Sequence, residues 1–465
     1  MQGDPTHPLT RGYLCNKVNH YLDLVYSDNR VLYPHKRIGP KGPGAKFERI
    51  SWDEALDTVT VNFKRIIDTY GSEAIQPFNY SGTMGMIGYW GMDNRFWNKM
   101  EAARLEMSIC VHAAYWAHIH TYGSANGADI AIASKEAEVI ILWGYNPVST
   151  GVHAMPFIRE AKERGCKIIA IDPRQTRTTW IADWHVQPKP GTDGALALGM
   201  MKVIVDHGLH DQDFLEQKTR GWQELVEQRL PEYPLDRVAR ITGLAEADIE
   251  KLALLYASTK KSCIRAGHGL NRHQNSGQMT RAILILPNIT GAWRERCGGA
   301  GFGRVEESFE QFFTEDLHRA DLGDRASKRL INMVQMGRAL ADNIGVDEEQ
   351  LDPPIKCLFV YNADPANCVP NSNNMRKGLM RDDLFTVVFD QVMTDTARWA
   401  DVVLPATTFL EHYDVAKSYG LVNLQLVQPT IEPVGDSHPN VEVFTALARR
   451  LGIDVSTSLE TDPEA

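Results

Sequence analysis

Two short apolar runs flank a segment of mixed polarity in the first half of the chain: VIILW at 139–143 and KIIAID at 167–172, separated by the loop GYNPVSTG and the stretch MPFIREAKERG. Unbroken apolar runs are what strands covered on both faces require, and the stretch between them is amphipathic at helical spacing, so the pattern predicts a βαβ unit of a parallel sheet. Gly165 stands where a helix C-cap is expected. The same alternation returns later, with KCLFVYNADPAN at 356–367, a helical NNMRKGLM, then LFTVVFDQVMT and ADVVLPATT. GALALGMMKVIVDHG (194–208) and EADIEKLALLYAS (246–258), between the two units, read as helices. No low-complexity linker separates the parts, which predicts domains that are tightly docked or discontinuous.

The two units share a second feature. VIILWGYNP and CLFVYNADP each leave a strand through a loop with asparagine and proline, and IIAIDPR and VVFDQVMT each end in aspartate. Taken singly, such residues make turns. Four loops in two matching pairs favour the alternative, because open α/β sheets bind ligands beyond the carboxyl ends of their strands. The layout predicts two nucleotide sites.

Length and charge narrow the classes. At 465 residues and 43% hydrophobic composition the chain is long enough for about three packed units, and its net charge of -10 offers no positive field for nucleic acid or anionic lipid. The apolar runs are too short to cross a bilayer, and MQGDPTHPLTRG lacks the basic and apolar regions of an export signal, so no direct membrane insertion and a cytoplasmic location are expected. The seven cysteines are scattered without a C-x-x-C pair, against a disulfide framework or a self-contained zinc site.

Single motifs add less. GGAGFG (298–303) lacks the strand-then-helix context of a dinucleotide fingerprint, and there is no P-loop. In PGTDGALALG, Thr192 or Asp193 can cap the following helix; equally, Gly191 can let backbone approach a ligand while Asp193 accepts from a base or ribose. His118 and His120 point to different faces of a helix, which favours a structural role over a shared ion. Tyr115 and Trp116 either shape a pocket or pack. An isolated cysteine such as Cys110 is ordinarily a small buried hydrophobe.

Six collinear stretches change that reading: GDPTHPLTRGYLCNK (3–17), ISWDEAL (50–56), ICVHAAYWAHIHTYG (109–123), VIILWGYNP (139–147), IIAIDPRQTRTTWIADWHVQPKPGTDGAL (168–196) and ARWADVVLPATTFLEH (397–412). Together they resemble the molybdopterin oxidoreductases of the dimethyl sulfoxide reductase type, which hold molybdenum or tungsten between two molybdopterin guanine dinucleotides. The resemblance implies an α/β, multi-domain fold like domains I–III of formate dehydrogenase and dimethyl sulfoxide reductase, with two parallel-sheet Rossmann-like units. It places Cys110 as the protein ligand to the metal, a role a soft thiolate suits beside dithiolene sulfur. It assigns Gly144, Asn146, Asp172, Arg174, Gly191 and Asp193 to one guanine dinucleotide, Asn362, Asp364 and Thr394 to the second, and Gly267 and Gly269 to a turn beside a pterin.

Cys15 and Lys17 match the last cysteine of a four-cysteine iron–sulfur site and the lysine between cluster and pterin. A [4Fe-4S] cluster then requires three further cysteines upstream. The implied domains are 1–49, a remnant of an iron–sulfur domain; 50–107 plus 305–465, binding one dinucleotide; and 108–304, binding the other, with the C-terminal capping domain absent. His112 stands one place later than the histidine that follows the metal ligand in formate-oxidising members, which argues against formate as substrate. The implied activity is a two-electron oxidoreductase acting on a small molecule, with an iron–sulfur electron-transfer subunit as a candidate partner. The alternatives are a non-redox hydratase of the same fold and a metal-free structural or electron-relay subunit.

Overall fold

The computed structural model describes residues 1–82, 85–125, 127–303, 319–418 and 421–455. Chain contacts divide it into two compact units, one of residues 1–19, 110–308 and 418–422, the other of 20–109, 309–417 and 423–465. Both are discontinuous in sequence. The expected boundary at 304/305 lies outside the described residues.

In chain order, the second unit begins with β1 (His35–Ile38), β2 (Lys46–Arg49), α1 (Trp52–Tyr70) and β3 (Ile75–Asn79). The first unit follows, with α2 (His112–Tyr122), β4 (Val139–Trp143), α3 (Met155–Glu163), β5 (Lys167–Ile171) and β6 (Trp184–Val186). It continues through α4 (Asp193–Asp206), α5 (Glu246–Ser258), β7 (Ser262–Ala266), α6 (Ser276–Thr290) and β8 (Gly299–Gly301). Then β9 (Cys357–Tyr361), α7 (Ser372–Leu379), β10 (Phe385–Asp390), β11 (Val402–Pro405) and α8 (Asn440–Leu451) complete the second.

The first unit's sheet has the order β6-β5-β4-β7-β8 and is parallel throughout. Its strands are buried on both faces: Val139, Ile141 and Trp143 enter one apolar cluster and Ile140 and Leu142 the other. That is why β4 reads as a continuous apolar run instead of an alternation. GGAGFG supplies the edge strand β8 and not a phosphate loop.

The second sheet has the order β2-β1-β11-β10-β9-β3. Strands β3, β9, β10 and β11 are parallel, whereas β1 runs antiparallel to both β2 and β11. Phe359, Tyr361 and Phe389 face one core cluster, and Leu358, Val360 and Val388 the other. The hairpin β1–β2 extends what the apolar runs predict: it is short and half-exposed, so no buried run announces it. Among the described residues no helix is long and apolar enough to cross a membrane.

Candidate functional site

Where the strand order of an open α/β sheet reverses, the loops of neighbouring strands leave in opposite directions and open a crevice. In the first unit this lies between β4 and β7. Gly144 follows β4 and Gly267 follows β7, and the two backbones touch: the Gly267 N–H donates to the Trp143 carbonyl at 2.8 Å, and a Cβ on Gly267 would run into the Gly144 carbonyl and come within 2.5 Å of Tyr145 Cα. Only glycine allows that approach. Gly269, in the same turn, stands above the Gly144 carbonyl.

The turn after β7 also reaches Cys110. Arg272 Nη1 donates to the Cys110 carbonyl at 3.3 Å, and Asn271 Oδ1 accepts from the Ala114 N–H, in the first turn of α2, at 2.9 Å. Cys110 is half-buried, two residues before α2, whereas Cys166, Cys263, Cys297 and Cys357 are sealed in the core. Two buried donors in this neighbourhood, Asn271 Nδ2 and Arg265 Nε, have no protein acceptor. A buried N–H without a partner costs free energy, so such donors mark where a ligand oxygen belongs.

The remaining loops of this unit ring the same sheet edge. Asn146 Oδ1 accepts from Thr178 Oγ1 at 2.6 Å, and Asp172 Oδ1 accepts from the Arg174 N–H at 2.9 Å, which folds the DPR segment into a tight turn. The Gly191 carbonyl accepts from Asn275 Nδ2 at 3.2 Å. Asp193 is buried and accepts from Trp143 Nε1 at 2.8 Å; burial holds its carboxyl above the usual range, against the partial relief of the indole N–H. Thr192 sits at the N-cap of α4, but its hydroxyl donates to the Lys189 carbonyl and makes no cap bond.

Cys15 and Lys17 belong to an N-terminal segment laid against α3, where Arg11 pairs with Glu160 and the Tyr13 carbonyl contacts His153 Nε2. Lys17 is exposed. Among the described residues no three His, Cys, Asp or Glu side chains are grouped as a metal site, and Cys15 has no second cysteine within its segment. These residues by themselves do not build a four-cysteine cluster. His118 is buried against Phe302 and Tyr122, while His112, Tyr115, Trp116 and His120 stack along the outer face of α2, with Trp116 Nε1 donating to His112 Nε2 at 2.8 Å.

In the second unit β3, β9, β10 and β11 follow one another in chain order across the sheet, and the loops that leave β3 and β9 meet at its carboxyl edge. Asn362, after β9, has a left-handed backbone (φ 53), and a Cβ on Gly82, in the loop after β3, would lie 2.7 Å from its Cβ. Asn362 Nδ2 is buried with no acceptor. Asp364 Oδ1 accepts from the Thr396 hydroxyl at 2.5 Å and its N–H at 3.0 Å, and Thr394 Oγ1 accepts from the Ala397 N–H at 3.1 Å. Burial pushes the carboxyl of Asp390, at the end of β10, up to about 6, although two backbone N–H groups oppose it.

The sequence reading missed Arg30, which is buried beside this loop. Its Nη2 donates to Glu411 at 2.8 Å and to the Ala406 carbonyl at 3.0 Å, while Nε and Nη1 have no acceptor. A single arginine in DNRVLYP carries no signal that could have found it. Asn271 was nearer to hand, two residues after Gly269 in RAGHGLNR.

Both crevices therefore share a backbone cradle and orphaned N–H donors, which suits a large ligand rich in oxygen acceptors. Residues 30–450 match the family model described as molybdopterin oxidoreductase. A probable oxidoreductase, YoaE, of Bacillus subtilis (strain 168) is 42% identical over 452 residues, covering 97% of this chain and 65% of the relative. The dimethyl sulfoxide reductase DmsA of Escherichia coli (strain K12) is 31% identical, over 92% of this chain and 57% of its own length. The solved structure of acetylene hydratase from Pelobacter acetylenicus superposes with a TM-score of 0.79 at 27% identity, over 96% of this chain and 65% of that one. The chain thus spans somewhat under two thirds of the proteins it resembles. Matched along nearly its whole length, it belongs to the molybdopterin oxidoreductase family.

Proposed function

We propose that this chain forms the cofactor-holding part of a two-electron oxidoreductase that uses molybdenum or tungsten on two molybdopterin guanine dinucleotides, with Cys110 as the protein ligand. The observation that carries the reading is the tie between Cys110 and the β4–β7 crevice through Asn271 and Arg272. When bound, the group supplies the electron chemistry, and the protein supplies placement, dryness and tuning.

The chain's own residues divide that work. Gly267 and Gly269 let backbone close on the ligand, Asn271 Nδ2 and Arg265 Nε donate to its oxygens, and Asp172 and Asp193 accept from guanine or ribose. Asp193 Oδ1 is committed to Trp143, which leaves Oδ2 for the ligand. In the second unit Asn362, Asp364 and Thr394 take the matching part, with Arg30 as an added cation. Substrates of this class are small oxyanions, sulfur compounds and organic oxides. Lys17 lies on an electron route only where three more cysteines join Cys15 to hold a [4Fe-4S] cluster, and an iron–sulfur subunit is then the natural partner.

The likeness to acetylene hydratase favours one second reading, a non-redox hydratase in which the metal acts as a Lewis acid. Expression under anaerobic conditions with molybdate, followed by metal and nucleotide analysis, tests both. Bound metal with substrate-dependent oxidation of a reduced viologen supports the oxidoreductase. Hydration without net electron transfer supports the hydratase, and protein with neither metal nor guanine nucleotide refutes both.

A further inference from the structure

The parallel strands of the second unit have a second end. Six residues of β10 at about 3.3 Å each place their amino ends roughly 20 Å from the loops just described. There a cleft of about 240 Å³ opens between α1, which contributes Asn62, Arg65 and Tyr70, and the segments entering β9, β10 and β11, which contribute Lys356, Asp382, Asp383 and Asp401. Nothing in the proposed redox chemistry uses it.

Two of its three carboxylates are already neutralised. Asp383 accepts from Arg381 Nε at 2.9 Å, Arg381 Nη2 at 2.8 Å and Lys356 Nζ at 2.6 Å, which hold it well below the usual carboxylate range. Asp401 accepts from Arg37 at 2.5 Å, Lys41 at 3.0 Å and the Thr386 N–H at 2.7 Å. Five cations (Arg37, Lys41, Arg65, Lys356 and Arg381) against three carboxylates leave two surplus positive charges, in a chain whose net charge is -10.

Among the described residues Arg65 belongs to no ion pair. Its guanidinium makes one hydrogen bond, from Nη2 to Asn62 Oδ1 at 3.2 Å on its own helix, and the rest of its donor fork is uncommitted. Lys356 is largely shielded, with 15% of its side chain exposed, and its ammonium lies 5.0 Å from the centre of the Tyr70 ring. A guanidinium fork with a desolvated ammonium beside it is suited to an oxyanion, taken in bidentate fashion. An ion-pair network that only pinned the strand starts would not need Arg65.

We propose that this cleft binds the oxyanion head, a carboxylate or phosphate monoester, of a small metabolite, with Arg65 as its fork and Lys356 as the second cation. Asp382 has no ionic partner and stands exposed at the rim, where it disfavours polyanions. The site is independent of the redox reading and needs no metal.

Isothermal titration of inorganic phosphate and, separately, of acetate into the whole chain at constant ionic strength provides the test. Saturable one-site binding on the order of 1 mM is expected for at least one of the anions, and Arg65→Gln should weaken it by about tenfold or more. Arg159→Gln, on the exposed side of α3, should leave it unchanged. Binding of phosphate alone identifies a phosphate ester as the source, and binding of acetate alone a carboxylate. Because Arg65 is exposed and unpaired, its variant should melt with the parent, so a loss of binding cannot be blamed on unfolding. No saturable binding of either anion, or equal binding by the parent and Arg65→Gln, overturns the proposal.

Discussion

At the scale of single residues, the cysteines separate chemistry from packing. Burial pushes the Cys166 thiol up to about 11 and the Cys263 thiol up to about 12, so both are protonated and inert at neutral pH. Cys110 is half-buried, and its carbonyl accepts from Arg272 in the turn after β7. Cys110→Ala should therefore change stability by less than about 1 kcal/mol while turnover of the anaerobically loaded protein falls to background. Cys263→Ala should do the reverse, costing roughly 1–2 kcal/mol with turnover unchanged. A Cys110→Ala protein with unchanged activity removes the ligand role. Asp93 offers a different kind of residue test. It is buried, accepts from the Tyr361 hydroxyl at 2.9 Å, and is pushed by burial up to about 7. The folded state then holds a proton that the unfolded chain releases above about 4, so stability falls as pH rises through that window and levels off above about 7. The span is roughly 4 kcal/mol. Asp93→Asn cannot ionise and should lack this slope in denaturant midpoints measured from pH 4 to 8. A variant with the parent's slope would show that Asp93 does not titrate in the folded state.

At the scale of elements, the carboxyl ends of strands carry the argument, and each crevice depends on one close backbone approach. Gly267→Ala would force β7's turn away from the Gly144 carbonyl, and Gly82→Ala would push against Asn362, 2.7 Å away. Each should cost on the order of 2 kcal/mol in urea unfolding and lower guanine nucleotide content, because nothing at either place is the end of a flexible side chain that could step aside. An alanine at Gly267 that leaves both stability and nucleotide content unchanged would mean that the cradle opens without cost. These strands were legible in the sequence because burial on both faces writes an unbroken apolar run, as in Val139–Trp143 and Cys357–Tyr361. Helix α4 was legible too, but of the two roles open to Thr192 and Asp193 the side-chain cap was not made, because the Lys189 carbonyl takes the threonine hydroxyl and the Trp143 indole takes a carboxylate oxygen of the aspartate. The donors Asn271, Arg265 and Arg30 were not legible. Their value lies in proximity across long stretches of chain, as when Arg272 reaches the Cys110 carbonyl across 162 positions, and no local pattern records such a meeting.

At the scale of the whole molecule, two units with separate sheets and separate cores predict that the two guanine nucleotides proposed for this chain are held independently. Asp172 and Asp193 lie in one unit; Asn362 and Asp364 lie in the other. Removing both aspartates of the first, as Asp172→Ala with Asp193→Ala, abolishes acceptors on that side alone. Asp364→Ala releases the Thr396 hydroxyl and N–H and loosens the loop after β9 on the other. Acid hydrolysis of the anaerobically loaded protein should then release about one GMP per chain from either variant, against about two from the parent, since ligand-binding energy lost at one crevice is not shared with groups that do not touch it. The double aspartate variant is the more informative of the two, because Asp193 is a buried acid held above its normal range and its replacement removes a desolvation cost as well as a ligand contact. Without Asp193 the buried Trp143 indole N–H loses its acceptor, so the variant's fold should melt below the parent's while its nucleotide content halves. Release of two GMP from that variant would return those loops to ordinary turns. Release of none would show that the first nucleotide must be seated before the second can bind, and the crevices would have to be treated as one coupled site.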